Sequence, residues 1–162
     1  MEGLKRLEYR GYDSAGLSVV LDGQIERRRA PGKLTNLETL LKSSPLKGSV
    51  ALGHTRWATH GKPSEENAHP HTDCSKELVI IHNGIIENYM ELKEALIASG
   101  HRFESETDTE TVVHLIEEKL KTLSGSRKAP TPDLNEPLLF EAVRQALNEL
   151  KGAYALAVLW SK

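Results

Sequence analysis

Short apolar runs and helical spacings divide this chain into a mixed set of elements. Leu17-Ser18-Val19-Val20-Leu21 and Gln24-Ile25-Glu26-Arg27-Arg28 flank Asp22-Gly23. Both turn residues tolerate positive φ, so the segment is predicted as a β-hairpin with a two-residue turn. Val50-Ala51-Leu52-Gly53-His54 and Leu78-Val79-Ile80-Ile81-His82 read as buried strands, and residues 153–160 as a final apolar strand. Leu4 and Leu7 lie one helical turn apart ahead of Gly11, which is expected to stop an opening helix. Further helices are predicted around 36–42, over 87–99 with Gly100 as the stop, and over 138–150, closed by Lys151-Gly152. Another starts near Thr107, where Thr107 and Glu110 make an S/T-x-x-E capping box and Val112, Val113, Leu115, Ile116 and Leu120 supply the apolar face. Residues 59–75, rich in Gly, Pro, Asn, His and Asp, are predicted as a long ordered loop, and 124–137 as a polar, proline-bearing linker. Hairpins and adjacent strands mixed with helices, without regular βαβ alternation, point to α+β layers.

Composition narrows the class. At 162 residues, 38% apolar and 27% charged, the chain suits one domain with a usable core. The 21 basic and 23 acidic side chains are well mixed and sum to −2, leaving no basic stripe for nucleic acid or an anionic membrane. No apolar run reaches the roughly 20 residues needed to cross a bilayer, and the first six residues open no signal peptide. One cysteine, Cys74, makes no internal disulfide, in keeping with a reducing, cytoplasmic setting. A small molecule or another protein is the expected partner. No Ser, Thr, Asp or Asn precedes Leu4 to cap the opening helix, so its natural start is expected upstream of Met1.

Three runs carry candidate chemistry: 53–61 (Gly-His-Thr-Arg-Trp-Ala-Thr-His-Gly), 82–88 (His-Asn-Gly-Ile-Ile-Glu-Asn) and 105–110 (Ser-Glu-Thr-Asp-Thr-Glu). Each lies where apolar strand gives way to turn or helix, where sites tend to sit. An arginine, an asparagine-glycine pair and an aspartate could hold a carboxylate, a developing oxyanion and an ammonium, the three polar ends of glutamine under amide attack. Plain alternatives stand beside each: a surface ion pair for Arg56, a helix N-terminal carboxylate for Asp108, a core tryptophan for Trp57 and a structural helix-end arginine for Arg10. Asn83-Gly84 encodes a turn well, and a turn is expected there on either reading.

Together with Arg10-Gly11-Tyr12-Asp13-Ser14-Ala15-Gly16 and Asn67-Ala68-His69-Pro70-His71, these runs resemble, in order and spacing, the glutaminase domain of the glutamine:fructose-6-phosphate amidotransferase (glucosamine-6-phosphate synthase) family. The resemblance spans nearly the whole chain, residues 124–137 least. It implies an α+β N-terminal-nucleophile hydrolase fold, an αββα sandwich of two antiparallel sheets between helical layers. By resemblance, Arg56 pairs with the substrate α-carboxylate and Asp108 with its α-ammonium. Asn83 and Gly84 form the oxyanion hole, and Trp57, Thr59 and His60 belong to a glutamine-covering loop. Arg10 supports the nucleophile's surroundings.

The family nucleophile is a cysteine at the start of the mature protein, with its own α-amine as base. That amine has a reference pKa of about 7.7–8.0, so a useful fraction is unprotonated near neutral pH. Residues 1–162 are therefore expected to be a glutaminase domain shortened at its start, lacking the first strand and the cysteine, and catalytically incomplete. Cys74 is read as an ordinary loop thiol without an evident base. The resemblance implies no cofactor or metal. It implies glutamine as ligand, sugar isomerase domains as partners, a homo-oligomer built through those domains, and fructose 6-phosphate as a substrate of the whole enzyme. Two other readings remain: a non-catalytic domain binding glutamine or a partner, and a metal-dependent amide hydrolase using His54, His60, His69, His71 and Asp73.

Overall fold

The computed structural model describes residues 1–125 and 135–162. Two antiparallel three-stranded sheets lie between helices. In the first, β1 (Ser14–Leu21) is central, flanked by β2 (Gln24–Pro31) and β3 (Val50–Arg56), in the order β2-β1-β3. The predicted hairpin is present, with φ of 50° at Asp22 and 74° at Gly23, because these residues enter the left-handed region that the two-residue turn demands. In the second sheet, β5 (Leu78–Ile86) lies between β4 (His71–Thr72) and β6 (Gly152–Trp160).

Helices α1 (Glu2–Leu7) and α2 (Leu34–Ser43) pack on the first sheet, where Leu4, Ala15, Ala30, Leu34 and Leu37 form a small core. Helices α3 (Tyr89–Ala98), α4 (Asp108–Gly125) and α5 (Asn135–Leu147) are joined to the second sheet through a larger one. Leu78, Ile80 and Ile86 of β5 meet Val112, Val113 and Ile116 of α4 there, and Ala142 and Ala146 of α5 complete the cluster. Strand alternation turns Ile81, Asn83 and Ile85 of β5 the other way, toward a cavity at the junction with β3. Among the described residues no helix is long and apolar enough to cross a membrane.

Four predictions change in detail. Asn83 and Gly84 are not a turn: β5 runs through them to Ile86, pairing Asn83 with Ala155 and Gly84 with Tyr154. Long-range pairing with β6 here overrides a local turn signal. Gly84 has φ of 121°, and a Cβ on it would meet the Ala153 carbonyl oxygen at 2.2 Å, so only glycine fits this crossing. The loop at 59–75 contains β4, recruited by β5. The opening helix continues as a 3-10 turn, Glu8–Arg10, and passes into extended backbone at Gly11 (φ −168°), so no left-handed stop forms. The last helix occupies Asn135–Leu147, earlier than 138–150; of the predicted linker, residues 126–134 lie outside the described residues.

The capping box forms by half. Thr107 Oγ1 accepts the Glu110 amide N–H at 3.4 Å. The Glu110 carboxylate, instead of turning back to Thr107, accepts from the Glu104 N–H (2.8 Å) and from the Ser105 N–H and hydroxyl (both 2.6 Å). It thereby fixes the approach to α4, which carries Asp108 in its first turn.

Candidate functional site

The two sheets and the start of α4 enclose a cavity of about 560 Å³. Arg10, Arg56, Trp57, Thr59, Asn83, Gly84 and Asp108, seven of the eight residues singled out in the sequence, line it. The eighth, His60, stands beside it, with Nδ1 3.7 Å from Asp108 Oδ1. Met1 sits in a separate recess with Lys5, Glu38, Leu41 and Lys42.

Arg56, at the end of β3, is only 3% exposed. It is a buried arginine, and its partner is Asp13, whose Oδ1 lies 3.6 Å from Nη1. Its Nη2 donates to the carbonyls of His60 and Gly61, the latter at 3.3 Å, so the guanidinium organises the loop that follows β3. Nη1 is buried and makes no hydrogen bond. Burial pulls the Arg56 pKa down and the charges of Asp13 and Asp108 oppose the shift. Asp13 was not singled out from the sequence, yet it also accepts the Ala58 N–H and the Ser14 hydroxyl (2.8 Å). A signal was present in the Arg-Gly-Tyr-Asp run, where an acidic side chain stands between a helix end and a buried strand.

Asp108 is 3% exposed. Its Oδ2 accepts the Ile86 N–H at 3.0 Å, tying α4 to the end of β5. Oδ1 faces the Nδ1 atoms of His60 (3.7 Å) and His82 (3.8 Å), both beyond hydrogen-bond reach. The carboxylate therefore combines a helix N-terminal position with an oxygen that a cation could take.

Asn83 is oriented from behind. His54 Nε2 lies 2.9 Å from its Oδ1; with the proton assigned to Nε2, the imidazole donates and the Asn83 NH₂ turns the other way. Burial lowers the His54 pKa, so the neutral ring required for this tautomer is favoured. Around it, His69 Nε2 and His82 Nδ1 share the Thr109 hydroxyl at 2.7 and 2.9 Å, and His71 Nε2 lies 3.1 Å from Thr107 Oγ1. Burial drives the pKa of His69 and His71 well below the usual histidine value. His54 and Thr109 were not assigned these tasks from the sequence, because their partners come from other elements.

Trp57 is 63% exposed and packs edge-on to Tyr12, with ring centroids 5.5 Å apart, so it is not a core tryptophan. Thr59 and Arg10 are exposed at the rim, and the His60 ring lies against Tyr89. The alternative metal set does not assemble: Asp73 is spent within its own turn, accepting from the Glu77 and Leu78 N–H groups at 2.8 Å each. Cys74 lies outside the cavity. It is not without basic neighbours, since His114 Nδ1 is 3.6 Å from its sulfur.

Comparison with known proteins accords with this architecture. Residues 42–125, just over half of the chain, match the family model of the glutamine amidotransferase domain. The chain is 52% identical over 160 residues to the glutamine–fructose-6-phosphate aminotransferase (isomerizing) of Brucella abortus, covering 99% of this chain and 24% of that protein. It is 48% identical over 161 residues to the enzyme of the same name from Pyrococcus horikoshii, covering 99% and 25%. The chain thus spans about a quarter of the length of the curated relatives it matches. Among solved structures, it resembles the glutamine phosphoribosylpyrophosphate amidotransferase of B. subtilis complexed with ADP and GMP, at a TM-score of 0.73 and 29% identity over 98% of this chain and 31% of that one. A structure of the allosteric regulatory enzyme of purine biosynthesis gives 0.75 and 31%, over 98% and 32%. The expected α+β N-terminal-nucleophile sandwich is present, with two antiparallel sheets between helices. With sequence and fold agreeing over nearly its whole length, the chain belongs to the glutamine amidotransferase domain family.

Proposed function

We propose that this chain is the glutamine-binding domain of a glutamine:fructose-6-phosphate aminotransferase, the part that releases ammonia from the glutamine side chain. One observation carries the reading: a buried guanidinium nitrogen, Arg56 Nη1, lacks a hydrogen bond while Arg56 lines a cavity shared with Asp108. Asp13 lies 3.6 Å from this nitrogen, too far for a hydrogen bond; a buried N–H left without one is costly, and a planar carboxylate satisfies it well. In this proposal the substrate α-carboxylate takes Arg56, and the α-ammonium takes Asp108 Oδ1. The side-chain carbonyl then reaches Asn83 and Gly84. The Asn83 NH₂, held by His54, and the Gly84 N–H donate to the oxyanion as the carbonyl becomes tetrahedral, when their hydrogen bonds are strongest. Trp57, Thr59 and His60 close over the ligand, and Arg10 stays at the rim.

The family nucleophile is an N-terminal cysteine, and Cys74 lies outside the cavity. Cys74 is accordingly given no part in the attack on the glutamine amide. In the whole enzyme the ammonia passes to sugar isomerase domains, which convert fructose 6-phosphate to glucosamine 6-phosphate and carry the homo-oligomeric contacts. Titration calorimetry tests the binding step. Glutamine should bind, and Arg56→Lys and Asp108→Asn should each weaken it at least about tenfold, or about 1.4 kcal/mol. Glutamine binding that ignores both substitutions would refute the assignment.

A further inference from the structure

A second polar cluster lies outside the glutamine cavity and is independent of it. Cys74 sits on the turn between β4 and β5, His101 in the segment between α3 and α4, and His114 and Glu117 one turn apart on α4. Their ligand atoms all lie within 4.8 Å of one another. The sulfur is 3.9 Å from His101 Nδ1 and 3.6 Å from His114 Nδ1, and Glu117 Oε2 is 3.1 and 3.2 Å from the same two nitrogens. Four ligands around zinc, with bonds of about 2.0–2.3 Å at tetrahedral angles, would stand roughly 3.3–3.6 Å apart. We propose that Cys74, His101, His114 and Glu117 form a structural zinc site.

Hydrogen bonding alone explains this cluster poorly. Glu117 Oε2 would have to accept from both imidazole Nδ1 atoms and from the Cys74 N–H, which lies 3.1 Å away. Glu118 Oε2 stands 2.9 Å from the other His101 nitrogen, Nε2. The fully buried His101 ring would then need a proton on both nitrogens. A cation bound at Nδ1 removes that demand: the lone pair faces the metal, and Nε2–H donates to Glu118, the carboxylate–histidine–metal arrangement of ordered zinc sites. His114 differs on its far side: its Nε2 is buried, lacks a hydrogen bond and stands 3.7 Å from Glu110 Oε1, while its Nδ1 faces the cluster. One thiolate and one carboxylate balance the divalent charge, and the thiolate with two imidazoles favours zinc over magnesium or calcium. The Arg102 N–H, 3.4 Å from the sulfur, supports the thiolate. Cys74 is exposed and gives the ion a way in, whereas the other three ligands are buried. The bound ion would pin the β4–β5 turn and the α3–α4 segment to α4, the helix that holds Asp108.

The test is zinc analysis of the purified chain after chelator treatment, zinc reconstitution and dialysis, with cobalt(II) as a spectroscopic substitute. About one zinc per chain is expected, with a cobalt–thiolate charge-transfer band and a melting temperature raised by zinc. Cys74→Ser, a near-isosteric change at an exposed position, should abolish the band and the thermal shift. His101→Gln and His114→Gln should each weaken zinc binding by about 10–100-fold. Negligible zinc after reconstitution would overturn the proposal. So would a Cys74→Ser chain that binds zinc as tightly as the parent.

Discussion

Replacing Gly84 by alanine probes the crossing of β5 and β6 beside the cavity that Gly84 lines. At φ of 121° an added Cβ would lie 2.2 Å from the Ala153 carbonyl oxygen and 2.8 Å from Tyr154 Cα, both backbone atoms that no rotamer change can move. The backbone strain alone costs about 1–3 kcal/mol. Relief requires β6 to move away, weakening ladder bonds around the Asn83–Ala155 and Ile85–Ala153 pairs, at about 1 kcal/mol each. The sum is roughly 3–5 kcal/mol, a large share of the 5–15 kcal/mol that holds a typical domain together. At about 2–4 °C per kcal/mol, the melting temperature should fall by roughly 6–20 °C. Gly100→Ala is the internal control: its φ is 93°, but nothing lies within 4 Å of the new methyl, so it carries the strain without the collision. Urea and thermal unfolding followed by circular dichroism should show Gly84→Ala to be the more costly by about 2 kcal/mol or more. Equal losses in the two variants would refute the close-approach argument.

Two further outcomes follow from the buried charges. Asp13→Ala leaves the Arg56 guanidinium without its ion-pair partner and removes the acceptor for the Ala58 N–H, so urea unfolding should show a loss on the order of 3 kcal/mol; a loss below about 1 kcal/mol would contradict the buried pair. Burial pushes the Glu110 carboxyl up, but the His114 imidazole 3.7 Å away and the hydrogen bonds from the Glu104 N–H and Ser105 outweigh it and bring the pKa from 4.5 to about 2. A carboxyl with a depressed folded-state pKa stabilises fully above pH 4.5, and its contribution, on the order of 3 kcal/mol, is lost as pH falls toward 2. Glu110→Gln should flatten the stability profile in that window, and an unchanged acid profile would disprove the assignment.

Sequence and structure agree best where the controlling physics is local. Asp22-Gly23 dictated a hairpin because its turn needs positive φ from those two residues and nothing from the rest of the chain. The helix from 108 was visible in the spacing of Val112, Val113, Ile116 and Leu120, all facing one core. Asn83-Gly84 misled for the converse reason: its turn preference is local, whereas its strand conformation depends on β6, far along the chain. The same holds at the site, where Arg56 was visible as a residue but its pairing with Asp13 was not.

What the sequence determined by itself was which residues could bear charge, cap a helix or take a left-handed turn, and the motif order that marks the family. Tertiary structure alone decided that Arg56, Asn83 and Asp108 share one cavity, that His54 aims the Asn83 amide, and that Cys74 faces His101, His114 and Glu117. The physical reason is that periodicity and turn chemistry act over a few residues. Proximity between distant side chains is set by how sheets and helices bury their apolar faces.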